Sequence, residues 1–320
     1  MTEFAIETFA LTRRFGAQAA VDGVDLRVPR GSFYGFLGEN GAGKSTTISM
    51  LTGVLAPTSG SMRVLGLDLG GSGFAGDGQR PQAGASGGAG FAGDGQRPKA
   101  GASGGAGFAG DGQRPQAGAS GGAGFAGDGQ RPKAGASIDE LKRRIGVVPD
   151  GLLLFDRLTG REHLVFVARL FGLPRDEAGR RADELLEAME LSQEARKLVA
   201  DYSFGMRKKL ALAASLIHGP ELLFLDEPFE GVDAVAKASL TALLADLVKR
   251  RRLTVFLTSH VLEVVERLCD QVGVIHRGRL VAQGTLGGVV QAAGATALTD
   301  AFVKLVGEGR GGTKALSFLT

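Results

Sequence analysis

The chain has 320 residues, which is enough for one large or two modest domains with a buried core. Its single cysteine, Cys269, excludes an internal disulfide, and its net charge of +3 lacks the strongly basic character of nucleic-acid-binding proteins. Residues 1–10 show no secretory signal, and no run of about 18 apolar residues is long enough to span a membrane. We therefore expect a protein that is soluble by itself, has no nucleic-acid partner and reaches a membrane only through another protein.

A tandem repeat interrupts the chain after its first strands. Four copies of Gly-Phe-Ala-Gly-Asp-Gly-Gln-Arg-Pro begin at Gly73, Gly90, Gly107 and Gly124. Each copy offers one phenylalanine among small and polar residues, too little apolar surface to offset the entropy lost on ordering. We predict that residues 71–137 are a disordered insert, and we interpret it as a loop expansion that costs the fold little free energy.

Outside this insert, strands and helices alternate, which indicates an α/β fold with a parallel sheet covered by helices. The predicted strands lie, in chain order, at Phe4–Ala10, Val24–Val28, Phe33–Leu37, Met62–Leu65, Ile145–Val148, Leu222–Leu225 and Leu253–Leu257. The predicted helices lie at Gly43–Thr52, Gly160–Phe171, Arg175–Glu190, Ser203–Ile217, Val235–Arg251 and, in the tail, Ala301–Val306. We predict one discontinuous domain over residues 1–70 and 138–285, followed by a short helical tail over 286–320.

A glycine-rich loop joins the strand ending at Leu37 to the following helix. A strand before it and a helix after it are the context in which such a loop binds phosphate: its glycines let backbone N–H groups close around phosphate oxygens. Lys44 would place a positive charge at the β and γ phosphates, and Ser45 would bind Mg²⁺. The alternative is a glycine-rich turn without nucleotide. The predicted nucleotide-binding residues of this loop are Gly38, Asn40, Gly41, Gly43, Lys44, Ser45 and Thr46.

Two adjacent acids follow the apolar strand Leu222–Leu225. In an open α/β sheet this strand end would lie beside the phosphate loop. Asp226 would hold Mg²⁺, and Glu227 would orient or deprotonate the water that attacks the γ-phosphate. A solvated acidic turn is the alternative interpretation.

A histidine ends the next apolar strand. His260 follows Leu257-Thr-Ser, so it is predicted to lie at the same sheet edge and to hydrogen-bond the γ-phosphate. The histidines at 163, 218 and 276 have no comparable position and are interpreted as packing or surface residues.

With these motifs in this order, the chain resembles the nucleotide-binding domain of ABC transporters over about residues 4–285, apart from the insert. The resemblance implies the P-loop NTPase fold of an ABC cassette, with a mostly parallel core sheet, an antiparallel β subdomain and a helical signature subdomain. It implies ATP hydrolysis with Mg²⁺.

The resemblance also assigns residues outside the three motifs. Ser203 and Gly205 occupy the family signature, which contacts the γ-phosphate bound by the opposite subunit. Asp233 lies in the D-loop, which communicates across the dimer. Phe15 stands where an aromatic ring stacks on adenine, although a core position is an equally open interpretation.

Two positions depart from the family pattern. Asp150 replaces the Q-loop glutamine that senses Mg²⁺, and as a carboxylate it remains a candidate metal ligand while adding negative charge near the triphosphate. Phe204 replaces a glycine of the signature. Neither change alters Lys44, Asp226 or Glu227, so we expect hydrolysis to survive.

The stretches after Asp150 and after His260 resemble the branch that serves drug, lipid or polysaccharide exporters. This branch implies a homodimer of cassettes in the ATP-bound state, a separate multi-span permease and a location on the cytoplasmic, inner face of the cell membrane. Two alternatives stay open: a soluble cassette acting on ribosomes or DNA, and a weakly hydrolysing nucleotide sensor, which the changes at Asp150 and Phe204 suggest.

Overall fold

The computed structural model describes residues 3–69, 134–249 and 253–307. Its strands are β1 Phe4–Phe15, β2 Gln18–Val24, β3 Arg27–Pro29, β4 Phe33–Leu37, β5 Ser59–Val64, β6 Leu67–Leu69, β7 Ile145–Val148, β8 Leu222–Asp226, β9 Thr254–Ser259, β10 Gln271–His276 and β11 Arg279–Thr285. Its α-helices are α1 Lys44–Leu51, α2 Ala134–Arg144, α3 Gly160–Leu170, α4 Arg175–Ala188, α5 Phe204–Leu216, α6 Ala234–Lys249, α7 Leu262–Leu268, α8 Leu286–Ala292 and α9 Leu298–Gly307. The predicted insert lies outside the described residues except for 134–137, which open α2.

A mostly parallel sheet carries the predicted site. Its strand order is β11-β10-β4-β9-β8-β7; all neighbouring pairs are parallel except β10 with the edge strand β11. The predicted parallel sheet is confirmed. Because β4, β9 and β8 are neighbours and run in the same direction, the residues that follow these three strands meet at one edge of the sheet.

The central strands are buried on both faces, which explains their unbroken apolar sequences. Side chains of β4 alternate between two cores: Phe33 and Leu37 pack with the helices α3 to α5, whereas Tyr34 and Phe36 pack with α1 and the antiparallel strands. The Tyr34 ring stacks on Phe256 of β9 with centroids 5.6 Å apart. Packing in both cores fixes the position of β4, and therefore also the position of the loop that follows it.

A second, antiparallel sheet forms around β1, which pairs with β2, β3 and β5, while β5 pairs with β6. The single strand predicted over Val24–Val28 is wrong, because β2 ends at Val24 and β3 begins at Arg27. The hydroxyl of Thr8 donates to the carbonyl of Val24 (2.7 Å) and accepts from the N–H of Leu26 (2.8 Å). These backbone groups at the break are thus hydrogen-bonded by a side chain instead of by a neighbouring strand.

The strand β1 is longer than the predicted Phe4–Ala10, and Phe15 is its last residue rather than part of a connection between strands. Its ring is 52% exposed, with the Arg13 guanidinium 4.8 Å from the ring centroid. The alternative that Phe15 is core material is therefore wrong.

A helical layer of α3, α4 and α5 packs on the face of the parallel sheet that carries Phe33 and Leu37. A capping box starts α3: the Thr159 hydroxyl accepts from the Glu162 N–H, and the Glu162 carboxylate accepts from the Thr159 N–H. Ser203 caps α5 with its hydroxyl alone, which accepts from the Met206 N–H. Each predicted helix of this layer is confirmed to within two residues at its ends.

The elements missing from the sequence-based prediction include β6, α2, β10 and β11. Gly273 interrupts the apolar pattern of β10, and it is needed there because a side chain would lie 2.3 Å from the Tyr34 hydroxyl. In the tail, α9 is anchored by the buried residues Leu298 and Ala301, and the Leu298 N–H donates to Glu266 of α7. Residues 308–320 lie outside the described ranges.

Candidate functional site

The loop between β4 and α1 has the backbone that phosphate binding requires. Gly41 and Gly43 have φ values of 79° and 108°, in the left-handed region that glycine tolerates. A side chain at Gly43 would lie 2.4 Å from the Ala20 carbonyl oxygen, and one at Gly38 would lie 2.6 Å from that of Ile275. Within the described part of the chain no side chain caps the N-terminus of α1, whose dipole favours an anion.

Lys44 lies between this loop and the acidic end of β8. Its side chain is 7% exposed, and its ammonium donates to the carbonyl oxygen of Gly38 at 2.9 Å. The same ammonium is 3.5 Å from Oε1 of Glu227. The loop thus presents one buried positive charge directly opposite a carboxylate.

The strand β8 delivers the two predicted acids in different environments. Asp226 is its last residue, is 7% exposed and accepts a hydrogen bond of 2.5 Å from the hydroxyl of Thr258 on β9. Glu227 follows with φ of 47°, in the left-handed region, and its N–H donates to the same hydroxyl at 3.2 Å. The turn at Glu227 directs the two carboxylates to different partners.

His260 meets Glu227 at the end of β9. Its Nδ1 is 3.0 Å from Oε2 of Glu227, and its backbone N–H donates to the same oxygen at 3.3 Å. The imidazole is 44% exposed, so one side contacts the carboxylate and the other faces open space. Such a pair fixes the orientation of a carboxylate that acts on a water molecule.

These side chains surround a polar cavity of about 470 Å³. Asp150, which follows β7, also lines it, so the structure brings the predicted metal ligands and the phosphate loop together. The described residues lining the cavity are Ala20, Glu39, Asn40, Gly41, Gly43, Lys44, Ser45, Thr46, Asp150, Asp226, Glu227, Glu230 and His260.

The remaining predicted site residues lie elsewhere in the subunit. Ser203 and Asp233 are exposed and Gly205 is half-buried; a side chain at Gly205 would lie 3.5 Å from Oδ2 of Asp233, so these three residues adjoin one another. They are not among the cavity-lining residues, and neither is Phe15. Their contact with nucleotide remains a prediction.

Two functional neighbours were missed from the sequence. Thr258, fully buried, bridges Asp226 and Glu227 as described above, and Lys208 donates to the Glu227 carbonyl oxygen at 3.0 Å from α5. The only sequence signal was the basic run Arg207-Lys208-Lys209, which precedes an apolar helical stretch.

The described part of the chain, residues 3–69, 134–249 and 253–307, includes no helix with the length and apolar character needed to cross a membrane.

The fold and the cavity define the class of protein. A phosphate loop on the central strand of a parallel sheet, opposite a strand-terminal Asp-Glu pair, is the nucleotide site of P-loop ATPases. The family model described as ABC transporter matches residues 21–84 and 117–230. The chain belongs to the ABC transporter family, as an ATP-hydrolysing cassette.

Relatives agree with this assignment. The bacitracin transport ATP-binding protein BcrA of Bacillus licheniformis is 32% identical over 87% of this chain and 69% of its own length. The daunorubicin/doxorubicin resistance ATP-binding protein DrrA of Streptomyces peucetius is 32% identical over 92% of this chain and 69% of its own length. The chain is accordingly an ATP-binding subunit of the ABC transporter family.

A solved structure with the same fold is a dimeric ATP-binding cassette in a post-hydrolysis state bound to ADP and Pi. It superposes with a TM-score of 0.63 at 17% identity and covers 88% of this chain and 98% of that chain. At this identity the comparison establishes the fold, including the antiparallel and helical parts that the resemblance implied.

Proposed function

We propose that two copies of this chain close around two ATP molecules and drive export through a separate multi-span permease on the cytoplasmic, inner face of the cell membrane. The observation that carries this proposal is the convergence of Lys44, Asp226, Glu227 and His260 on one cavity. The names of the relatives favour a drug-like or antibiotic cargo.

In this proposal each cavity residue has one task. Lys44 and the N-terminus of α1 bind the β and γ phosphates, which places the γ-phosphate beside Glu227. Glu227 accepts the proton of the attacking water, and its contact with Nδ1 of His260 orients the carboxylate. His260 presents its exposed side to the γ-phosphate.

The donor set of the cavity fits Mg²⁺. Ser45, Asp150 and Asp226 supply the hard oxygen atoms that this ion prefers. Among the described residues, no three acidic, histidine or cysteine side chains converge closely enough to hold a metal. We infer that these side chains bind the ion jointly with phosphate oxygens and water. When bound, Mg²⁺ neutralises charge that develops on the phosphates.

The exposed group of Ser203, Gly205 and Asp233 supports the dimer. These residues match the signature and D-loop but adjoin a surface rather than the cavity of their own subunit. A second copy, placed head to tail, would bring them to the γ-phosphate. Each nucleotide would then be held by both subunits, and ATP would stabilise the closed pair.

An apolar groove of about 600 Å³ beside α1, α3 and α5 is the proposed docking site of the permease. Leu153 and Phe155 on its rim are 83% and 51% exposed, which is unusual for large apolar side chains unless a partner covers them. Ser45 and Asp226 line both this groove and the polar cavity. A segment bound in the groove would therefore contact residues of the ATP site directly.

Affinity purification of the tagged chain from native membranes tests this proposal. We expect a multi-span membrane protein to copurify, and we expect Phe155→Asp to reduce its recovery because a charge would enter the apolar groove. Val303→Asp, at a position 61% exposed on α9, is the matched control and should not affect recovery. Purification of the chain without any integral membrane protein would contradict the proposal.

A further inference from the structure

We propose that Lys208 is a positioning residue of the ATPase site, whose ammonium holds the backbone of Glu227 and offsets the negative charge of Asp150. Lys208 belongs to α5 and does not line the polar cavity. The inference rests in part on the proposed role of Glu227, and the experiment below separates the two.

The first observation is the contact with Glu227. The Lys208 side chain is 3% exposed, and its Nζ donates to the Glu227 carbonyl oxygen at 3.0 Å. Glu227 has φ of 47°, a conformation that a residue with a side chain keeps only when its surroundings hold it there. Together with the hydrogen bond from the Glu227 N–H to Thr258, the lysine fixes the peptide groups on both sides of the carboxylate.

The second observation is the charge of the cavity. Five carboxylates line it, those of Glu39, Asp150, Asp226, Glu227 and Glu230, whereas the one lysine among its described lining residues is Lys44. A triphosphate entering this cavity would meet an excess of negative charge. A second buried ammonium next to the cavity reduces that excess.

Asp150 lines this cavity, and its carboxylate is one of those that favour the charged form of Lys208. Burial lowers the pKa of Lys208, and the carboxylates of Asp150, Glu230, Glu227 and Asp226 oppose that effect, with Asp150 contributing the most. A glutamine at position 150, as in the family pattern, would exert no such effect. The lysine therefore compensates for the extra charge that this chain carries at its Q-loop position.

The other departure from the family pattern adjoins the same lysine. The Phe204 ring centroid lies 5.5 Å from the Lys208 Nζ, and the ring packs on Gly231, where a side chain would come within 2.6 Å of it. An aromatic face is a favourable neighbour for a buried ammonium. Asp150 and Phe204 thus form a consistent environment for Lys208 rather than two unrelated changes.

Three substitutions separate the two roles. Lys208→Met removes the charge and the donor, Lys208→Gln keeps a donor without the charge, and Lys208→Arg keeps both. Lys209→Met is the matched control, because Lys209 is also buried on the same helix but pairs with Glu190 (2.7 Å), outside the cavity. Binding of a fluorescent ATP analogue is titrated in EDTA, so that Mg²⁺ contributes nothing, and kcat is measured with Mg²⁺.

We expect Lys208→Met and Lys208→Gln to weaken binding about tenfold, since one unit of charge is lost near the triphosphate. Adding Asp150→Asn to either variant should restore binding to within about threefold, because the two charges then disappear together. Lys208→Gln and Lys208→Arg should retain more of kcat than Lys208→Met, because both still donate to Glu227. If Lys208→Met does not fold, the Gln variants give the same comparison.

The proposal is overturned if Lys208→Gln binds the analogue as tightly as Lys209→Met, or if Asp150→Asn fails to restore binding in its background. Glu227→Gln is assayed in parallel. If that variant hydrolyses ATP normally, the proposed base is wrong, whereas the binding measurements in EDTA still decide the charge balance between Lys208 and Asp150.

Discussion

Glu227 shows how a single residue can be fixed from several sides. Its carboxylate contacts Lys44 and His260, and its backbone is held by Thr258 and Lys208. The four contacts come from α1, β9, the residue after β9, and α5. This degree of constraint suits the general base that we propose Glu227 to be, because a small displacement from the attacking water would cost much of the rate.

Replacing Lys44 by methionine tests the phosphate loop. We expect Lys44→Met to weaken ATP binding by at least about tenfold, because the loop loses the charge opposite the phosphates. Lys209→Met again serves as the control, since both lysines are 7% exposed. Isothermal titration with ATP measures the difference, and equal affinities in the two variants would show that Lys44 does not bind the nucleotide.

The sequence was sufficient for the residues that sit in contiguous motifs. Asp226 ends the buried strand β8, His260 directly follows β9, and Lys44 begins the helix after the loop that follows β4. Because these strands are parallel neighbours, the three residues meet at one edge of the sheet. Thr258 and Lys208 could not be assigned roles in this way, because their partners lie 32 and 19 positions away and depend on how β9 and α5 pack.

At the level of elements, the strands with mostly buried apolar residues are those whose bounds were predicted correctly. The strands β4 and β7 have the predicted bounds, and β8 and β9 agree within one or two residues, because each is a short, almost continuous run of apolar residues and most of these residues are buried. The break between β2 and β3 depends on the Thr8 side chain, and β10 depends on Gly273 making room for Tyr34. Both features depend on tertiary contacts, which the local pattern of apolar and polar residues does not predict.

A pair of glycine substitutions tests the loop between β4 and α1. Both Gly41 and Gly43 have positive φ, but only Gly43 would also meet a backbone atom, the Ala20 oxygen at 2.4 Å. We expect Gly41→Ala to lower the free energy of unfolding by about 1 kcal/mol and Gly43→Ala by roughly 2 kcal/mol more. Urea denaturation followed by circular dichroism measures both, and equal losses would argue against the packing of Gly43 on Ala20.

At the scale of the whole molecule, the insert separates two parts of one fold. Leu69 at the end of β6 and Leu141 of α2 are buried in the same core, although the repeat lies between them in the sequence. The discontinuous domain over residues 1–70 and 138–285 stays a prediction. The helix α2 begins at Ala134, so the last four residues of the predicted insert, 134–137, belong to this helix.

Deleting the repeat tests that division. We replace residues 71–133 by a short Gly-Ser linker. We expect this chain to keep the melting temperature of the wild-type protein and an ATPase rate within about twofold of it, because loop length has only a small effect on stability. Deletion through residue 137 also removes the first turn of α2, so comparing the two deletions separates the effect of the repeat from that of the helix. Aggregation of the shorter deletion would show that the repeat takes part in folding.

The central claim is that Glu227 performs the chemistry in a cavity where Lys44 and the phosphate loop bind ATP. Its most direct test is a single-turnover measurement on Glu227→Gln with ATP and Mg²⁺, with bound nucleotide analysed after acid quenching. We predict that the variant retains about one intact ATP per chain and hydrolyses it at least about 100-fold more slowly than the wild-type protein. Hydrolysis at the wild-type rate, or failure to retain ATP, would contradict the account.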